Sequence, residues 1–150
     1  PPPAAVAPEA ADLHPNMTTR QRVAMQTKPA FCSSCHDKIN PVGYTLEKFD
    51  AIGRLRQKEN GQPVDSSGSY ITRSGKTVVF SGIRDLTKYA VSSDETQVAF
   101  VEKLFQFMVK QPIRAYGQQA LPDLQRRFIA NNFSIKKLMV EIMSTSATHG

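Results

Sequence analysis

Cys32-Ser33-Ser34-Cys35-His36 is the stretch on which the reading of the whole chain turns. It has the C-x-x-C-H pattern of covalent haem attachment. Two cysteines at this spacing share one helical turn and can bond the two vinyl groups of one porphyrin. The histidine beside the second can offer an imidazole nitrogen to the iron. Two other chemistries use the same residue types. A redox-active Cys-x-x-Cys pair accompanies a βαβ pattern, and none surrounds this one. A structural zinc site takes four ligands, commonly from two ligand pairs. Cys32 and Cys35 are the only cysteines, and His14 and His149 stand near opposite ends. Haem c, with its iron, is therefore the expected cofactor, with Cys32 and Cys35 as attachment points and His36 as proximal ligand.

Working outward, Pro29 precedes the motif and suits the first turn of the helix that carries it. Upstream, Thr18 and Gln21 have capping-box spacing and predict a helix to about Thr27. Residues 1–16 are rich in Pro and Ala and read as a linker or arm. Downstream, Asn40-Pro41-Val42-Gly43 reads as a turn. A carbonyl in this Pro41 loop is expected to accept the other ring N–H of His36 and fix its orientation. Residues 44–52 read as a short helix with Leu46, Phe49 and Ile52 inward, closed by Gly53. Pro41 and Tyr44 are counted with Cys32, Cys35 and His36 as cofactor-binding.

Residues 54–82 change character. Asn60-Gly61 and Ser74-Gly75 are hairpin turn signals, with short strands over 69–72 and 77–80. From residue 83 the helical period returns. Ser92 and Glu95 predict a capped helix to about Lys110, with Val98, Val101, Leu104, Phe105 and Met108 on one face. A helix over about 121–129 follows, and Ser134 caps a last one with Leu138, Met139, Ile142 and Met143 on its apolar face. The expected fold is mainly α: a cytochrome c-like helical haem domain over 17–150, with a small β-hairpin insertion at 54–82 and C-terminal helices over 83–150.

The chain has 150 residues, enough for one domain with a real core. Its composition, 40% hydrophobic and 21% charged, is that of a globular chain. No run has the length of a transmembrane helix, and Pro1-Pro2-Pro3 does not open a signal peptide. Haem c is attached outside the cytoplasm, so a periplasmic or otherwise extracytoplasmic location is expected, and the missing leader reads as trimming or as a piece of a longer chain. The net charge of +6 suits an acidic redox partner. Lys and Arg are spread out, with short pairs only at Arg126-Arg127 and Lys136-Lys137, which argues against nucleic acid. For the sixth iron position the candidates are Met17, Met25, Met108, Met139, Met143, His14 and His149. Met108, near a helix end before Pro112, is preferred, and an open position is the alternative.

The run from Cys32 to Arg56 resembles the C-terminal haem-bearing module of the large planctomycete-type cytochrome c proteins. In that family C-x-x-C-H is followed by D-P-x-G and then by L-E-x-F-D-x-x-G-R, matched here by Leu46 to Arg54. The proline-rich opening, Thr19 to Arg22, the hairpin after Asn60-Gly61 and the helix over 101–108 are similar too, so the resemblance covers nearly the whole chain. Three departures stand out. Asn40 replaces the usual Asp, Gln26 stands where His is frequent, and Lys110-Gln111 stands where Gly-Arg is common. The resemblance implies an extracytoplasmic electron carrier with upstream domains, the electron-handling module of a larger oxidoreductase. Two alternatives remain at this point: a five-coordinate haem enzyme or gas- or peroxide-reactive domain, and a Cys-x-x-Cys module that binds zinc or forms a disulfide.

Overall fold

The computed structural model describes residues 14–148. Most of the arm read over 1–16, and His149, lie outside the described residues. The chain forms two compact units that divide within one helix, the first ending at Lys88 and the second starting at Tyr89. Among the described residues there are six α-helices and two two-stranded antiparallel sheets. The fold is mainly α with small β-hairpins.

In the first unit, α1 (Thr19–Gln26) starts at the expected box. The Thr18 side chain accepts from the Gln21 N–H, and the Gln21 side chain accepts from the Thr18 N–H, so two orphan donors of the first turn are satisfied. After Pro29 comes α2 (Ala30–Gly43), which carries the C-x-x-C-H motif. Here the structure corrects the sequence reading. The helix runs through Asn40-Pro41-Val42-Gly43 instead of turning there, with Pro41 inside it. An interior proline loses one helix hydrogen bond and crowds the preceding turn, at a cost of about 3 kcal/mol. The side-chain bonds of Asn40, to His36 within α2 and to Thr27 at the end of α1, offset part of this.

The helix expected over 44–52 is also corrected. A 3-10 turn covers Tyr44–Leu46, and tight turns centred on Asp50 follow. Asp50 Oδ1 accepts from the N–H groups of Ile52 and Arg54, and Oδ2 accepts from Arg54 Nε. Gly53, at φ +81°, lets the chain double back. Leu46, Phe49 and Ile52 are exposed rather than inward.

The strands β1 (Lys58–Glu59) and β2 (Gln62–Pro63) pair across Asn60-Gly61. Both turn residues have the positive φ that a type I′ turn requires. A second hairpin pairs β3 (Gly68–Ile71) with β4 (Thr77–Phe80), with Gly68 opposite Phe80. The β3 strand lies against α2, and Gly68 makes this possible. A Cβ at that position would sit 2.1 Å from the Pro41 carbonyl oxygen and 2.7 Å from Thr45 Cγ2.

The helix α3 (Ile83–Ser92) contains the division between the units. In the second unit, α4 (Asp94–Val109) is capped by Ser93, one position after the expected Ser92, whose side chain accepts from the Thr96 N–H. A 3-10 turn (Ile113–Tyr116), α5 (Ala120–Ala130) and α6 (Ile135–Ala147) follow. Val101, Phe105, Leu124, Phe128, Leu138 and Ile142 form one buried cluster. Met139 and Met143, expected inward on α6, are exposed. The adjacent Leu138 and Ile142 take the buried face one turn apart, which leaves room for one apolar stripe only.

Candidate functional site

The motif sits on a helix with an uncovered face. No side chain of α2 is buried. Phe31 and Ile39, one turn before and one turn after Cys35, are 52% and 56% exposed. Cys32 is half-buried, Cys35 is exposed, and both are free thiols. More of the first unit's apolar side chains lie open in the same way, including Leu46, Phe49, Ile52 and Leu55. Among the described residues of this unit, Phe80 is the one hydrophobic side chain that is fully buried. The hydrophobic effect favours covering such a surface by about 25 cal/mol per Å².

His36 is half-buried and held by a defined partner. Its Nδ1 lies 2.8 Å from Asn40 Oδ1, one helical turn away. Asn40 Nδ2 donates to Thr27 Oγ1 at 2.8 Å, and the Thr27 hydroxyl donates to the Val23 carbonyl at 2.7 Å. The carbonyl beside His36 is therefore the side-chain amide of Asn40, rather than a main-chain carbonyl of a Pro41 loop. The helical continuation explains this, because it brings residue 40 onto the face of residue 36. Thr27 and Asn40 were not among the expected site residues. The four-residue spacing of His36 and Asn40 was the signal, and the turn reading of Asn40-Pro41 hid it.

A cleft of about 520 Å³ is lined by Thr27, His36, Asn40, Pro41 and Tyr44 among others. It brings together three of the expected cofactor-side residues, His36, Pro41 and Tyr44, while Cys32 and Cys35 are not among its lining residues. The Arg20 guanidinium stacks 4.2 Å from the centre of the Tyr44 ring. Burial pushes the Tyr44 hydroxyl up from its ordinary pKa, against the pull of Arg20 and of a hydrogen bond from Asn40. Met108, the expected sixth ligand, is in the second unit, half-buried on the last turn of α4 against that unit's core.

The post-motif residues have structural duties. Glu47 pairs with Arg56 at 3.1 Å, and Arg56 also reaches Glu59 at 2.9 Å. Glu59 in turn accepts from the backbone N–H and the hydroxyl of Thr19, at 2.9 and 2.6 Å. This cluster ties α1 and β1 to the segment after the motif. Asp50 and Arg54 close the turn described above. Among the described residues, no group of three or more His, Cys, Asp and Glu side chains is placed to hold a metal ion. No helix among them is long and apolar enough to cross a membrane.

Residues 1–59 match the protein-family model PSCyt3, described as a protein of unknown function (DUF1588). The matched part contains α1, α2 with its C-x-x-C-H motif, the Tyr44–Leu46 turn and β1; residues 60–150 lie beyond it. No curated protein and no solved structure matches the chain.

Proposed function

We propose that this chain is a c-type cytochrome module that carries one haem on Cys32 and Cys35, with His36 as iron ligand, and passes single electrons within a larger extracytoplasmic redox protein. One observation carries the reading. A C-x-x-C-H motif with both thiols free stands on a helix with no fully buried side chain, in a unit with almost no apolar core of its own. A flat, apolar group bonded to that helix is what the exposed Phe31 and Ile39 suit. The family label PSCyt3 over residues 1–59 supports the same class.

Attachment requires no oxidant. Each thiol adds across one vinyl double bond, sulfur to one carbon and hydrogen to the other, and two thioethers result. Bound haem supplies an iron that alternates between ferrous and ferric. The chain's own part is to hold His36 in one orientation, to shield one face with apolar side chains, and to offer a partner a basic surface. The net charge of +6 favours an acidic redox partner by long-range attraction. A methionine at the sixth position would raise the reduction potential.

The test is expression in a host competent in cytochrome maturation. The purified chain is expected to be red, with a mass equal to polypeptide plus one haem that survives denaturation. Colourless protein of bare polypeptide mass would sink the proposal. A weak near-infrared sulfur-to-iron band that disappears in Met108→Ala supports that ligand, and its survival removes Met108. Rapid, complete binding of carbon monoxide by the reduced protein would favour a five-coordinate centre instead.

A further inference from the structure

We infer that Asn40 and Thr27 act together as positioning residues that hold His36 in the tautomer with its proton on Nδ1, leaving Nε2 as the lone-pair nitrogen for a metal. The inference rests on the haem reading for its consequence, and on hydrogen-bond polarity for its derivation. A threonine hydroxyl has one hydrogen, and that of Thr27 is committed to the Val23 carbonyl. Towards Asn40, 2.8 Å away, Thr27 Oγ1 therefore presents lone pairs, so Asn40 must turn its NH₂ to it. The amide oxygen of Asn40 is then aimed at His36 Nδ1. An amide oxygen only accepts, so Nδ1 must carry the hydrogen. In a neutral imidazole the other nitrogen is then unprotonated.

Two consequences follow for a metal-bound His36. The ring is fixed in rotation by a partner on its own helix, one turn on, which is tied to the end of α1 through Thr27. The partner is also neutral. A carboxylate at position 40 would pull the Nδ1 proton toward itself and make the imidazole a stronger electron donor. That would stabilise ferric iron, so the amide sets a higher reduction potential than a carboxylate would.

The experiment compares the full chain with Asn40→Asp, Thr27→Val and Thr27→Ser by spectroelectrochemistry, and by ¹⁵N-edited NMR of the reduced form. The wild type is expected to show a slowly exchanging hydrogen on His36 Nδ1. Asn40→Asp should lower the midpoint potential. Thr27→Val, which keeps the shape but loses the hydroxyl, should speed exchange of that hydrogen, and Thr27→Ser should restore slow exchange. Haem-loaded variants with unchanged potential and unchanged exchange overturn the inference, as does a fast-exchanging Nδ1 hydrogen in the wild type. The two readings fail separately. A chain that takes up no haem defeats the cytochrome proposal, while the tautomer is still read from its His36 ring nitrogens. Nδ1–H upholds the network, and Nε2–H overturns it.

Discussion

Gly68 shows how one atom can fix the relation of a strand to a helix. Its missing Cβ is the space occupied by the Pro41 carbonyl and the Thr45 methyl group. Gly68→Ala is expected to cost roughly 1–3 kcal/mol, in the manner of overpacking, measured by thermal or denaturant unfolding. An unchanged midpoint would show that β3 can move off α2 freely. Lys110 is the opposite case. It ends α4 at φ +61°, a conformation that disfavours side chains by about 1 kcal/mol or more, and it gains back a contact of its ammonium group with the Phe107 ring, 4.3 Å away. Lys110→Gly is expected to stabilise the second unit by ~0.5–1 kcal/mol. A loss of stability would mean that the ammonium–ring contact outweighs the backbone. The resemblance noted a common Gly at this position, and the left-handed cap gives the physical reason.

At the scale of elements, the Glu47–Arg56–Glu59 cluster joins α1 and β1 to the segment after α2. Its two carboxylates behave oppositely. Burial works against the charge of Glu59, but the hydroxyl and N–H of Thr19, together with Arg56, outweigh it and hold the carboxyl below its ordinary range. Glu47 is pushed up, by burial first, with Arg56 only partly compensating. A carboxyl whose pKa is lower folded than unfolded stabilises the fold above its unfolded pKa, and that contribution fades as pH falls through the folded value. A raised one loses its contribution as pH rises through the folded value. Glu59→Gln should therefore destabilise at pH 7 by about 2 kcal/mol, as for hydrogen bonds to a charged group. The deficit should shrink below about pH 4. Glu47→Gln should cost less at pH 7. Equal losses at pH 7 and pH 3 in Glu59→Gln would contradict this assignment.

For the whole molecule, the contrast between the units matters most. The second unit has a contiguous buried cluster from Val101 to Ile142, while among the described residues of the first Phe80 is the one fully buried hydrophobic side chain. Apolar burial is the main term that opposes chain entropy. A Cys32→Ala/Cys35→Ala variant, unable to form thioethers, should therefore retain slow hydrogen exchange over 94–147 and exchange rapidly over 19–80. Equal protection in both segments would show that the first unit is stable without a bonded apolar group.

The helices around the motif, the capping of α1, the two hairpin turns and the apolar stripe of the second unit were legible in the residues themselves. These signals depend on neighbours within a turn or two. Three matters were settled only by tertiary structure. One was the passage of α2 through Pro41, where bonds of Asn40 to Thr27 and His36 override a local turn preference. Another was the need for glycine at 68, set by a helix 27 residues earlier. The last was the outward position of Leu46, Phe49 and Ile52, whose pattern alone reads as a buried face. Each depends on groups that are distant in sequence, and local propensity carries no information about them.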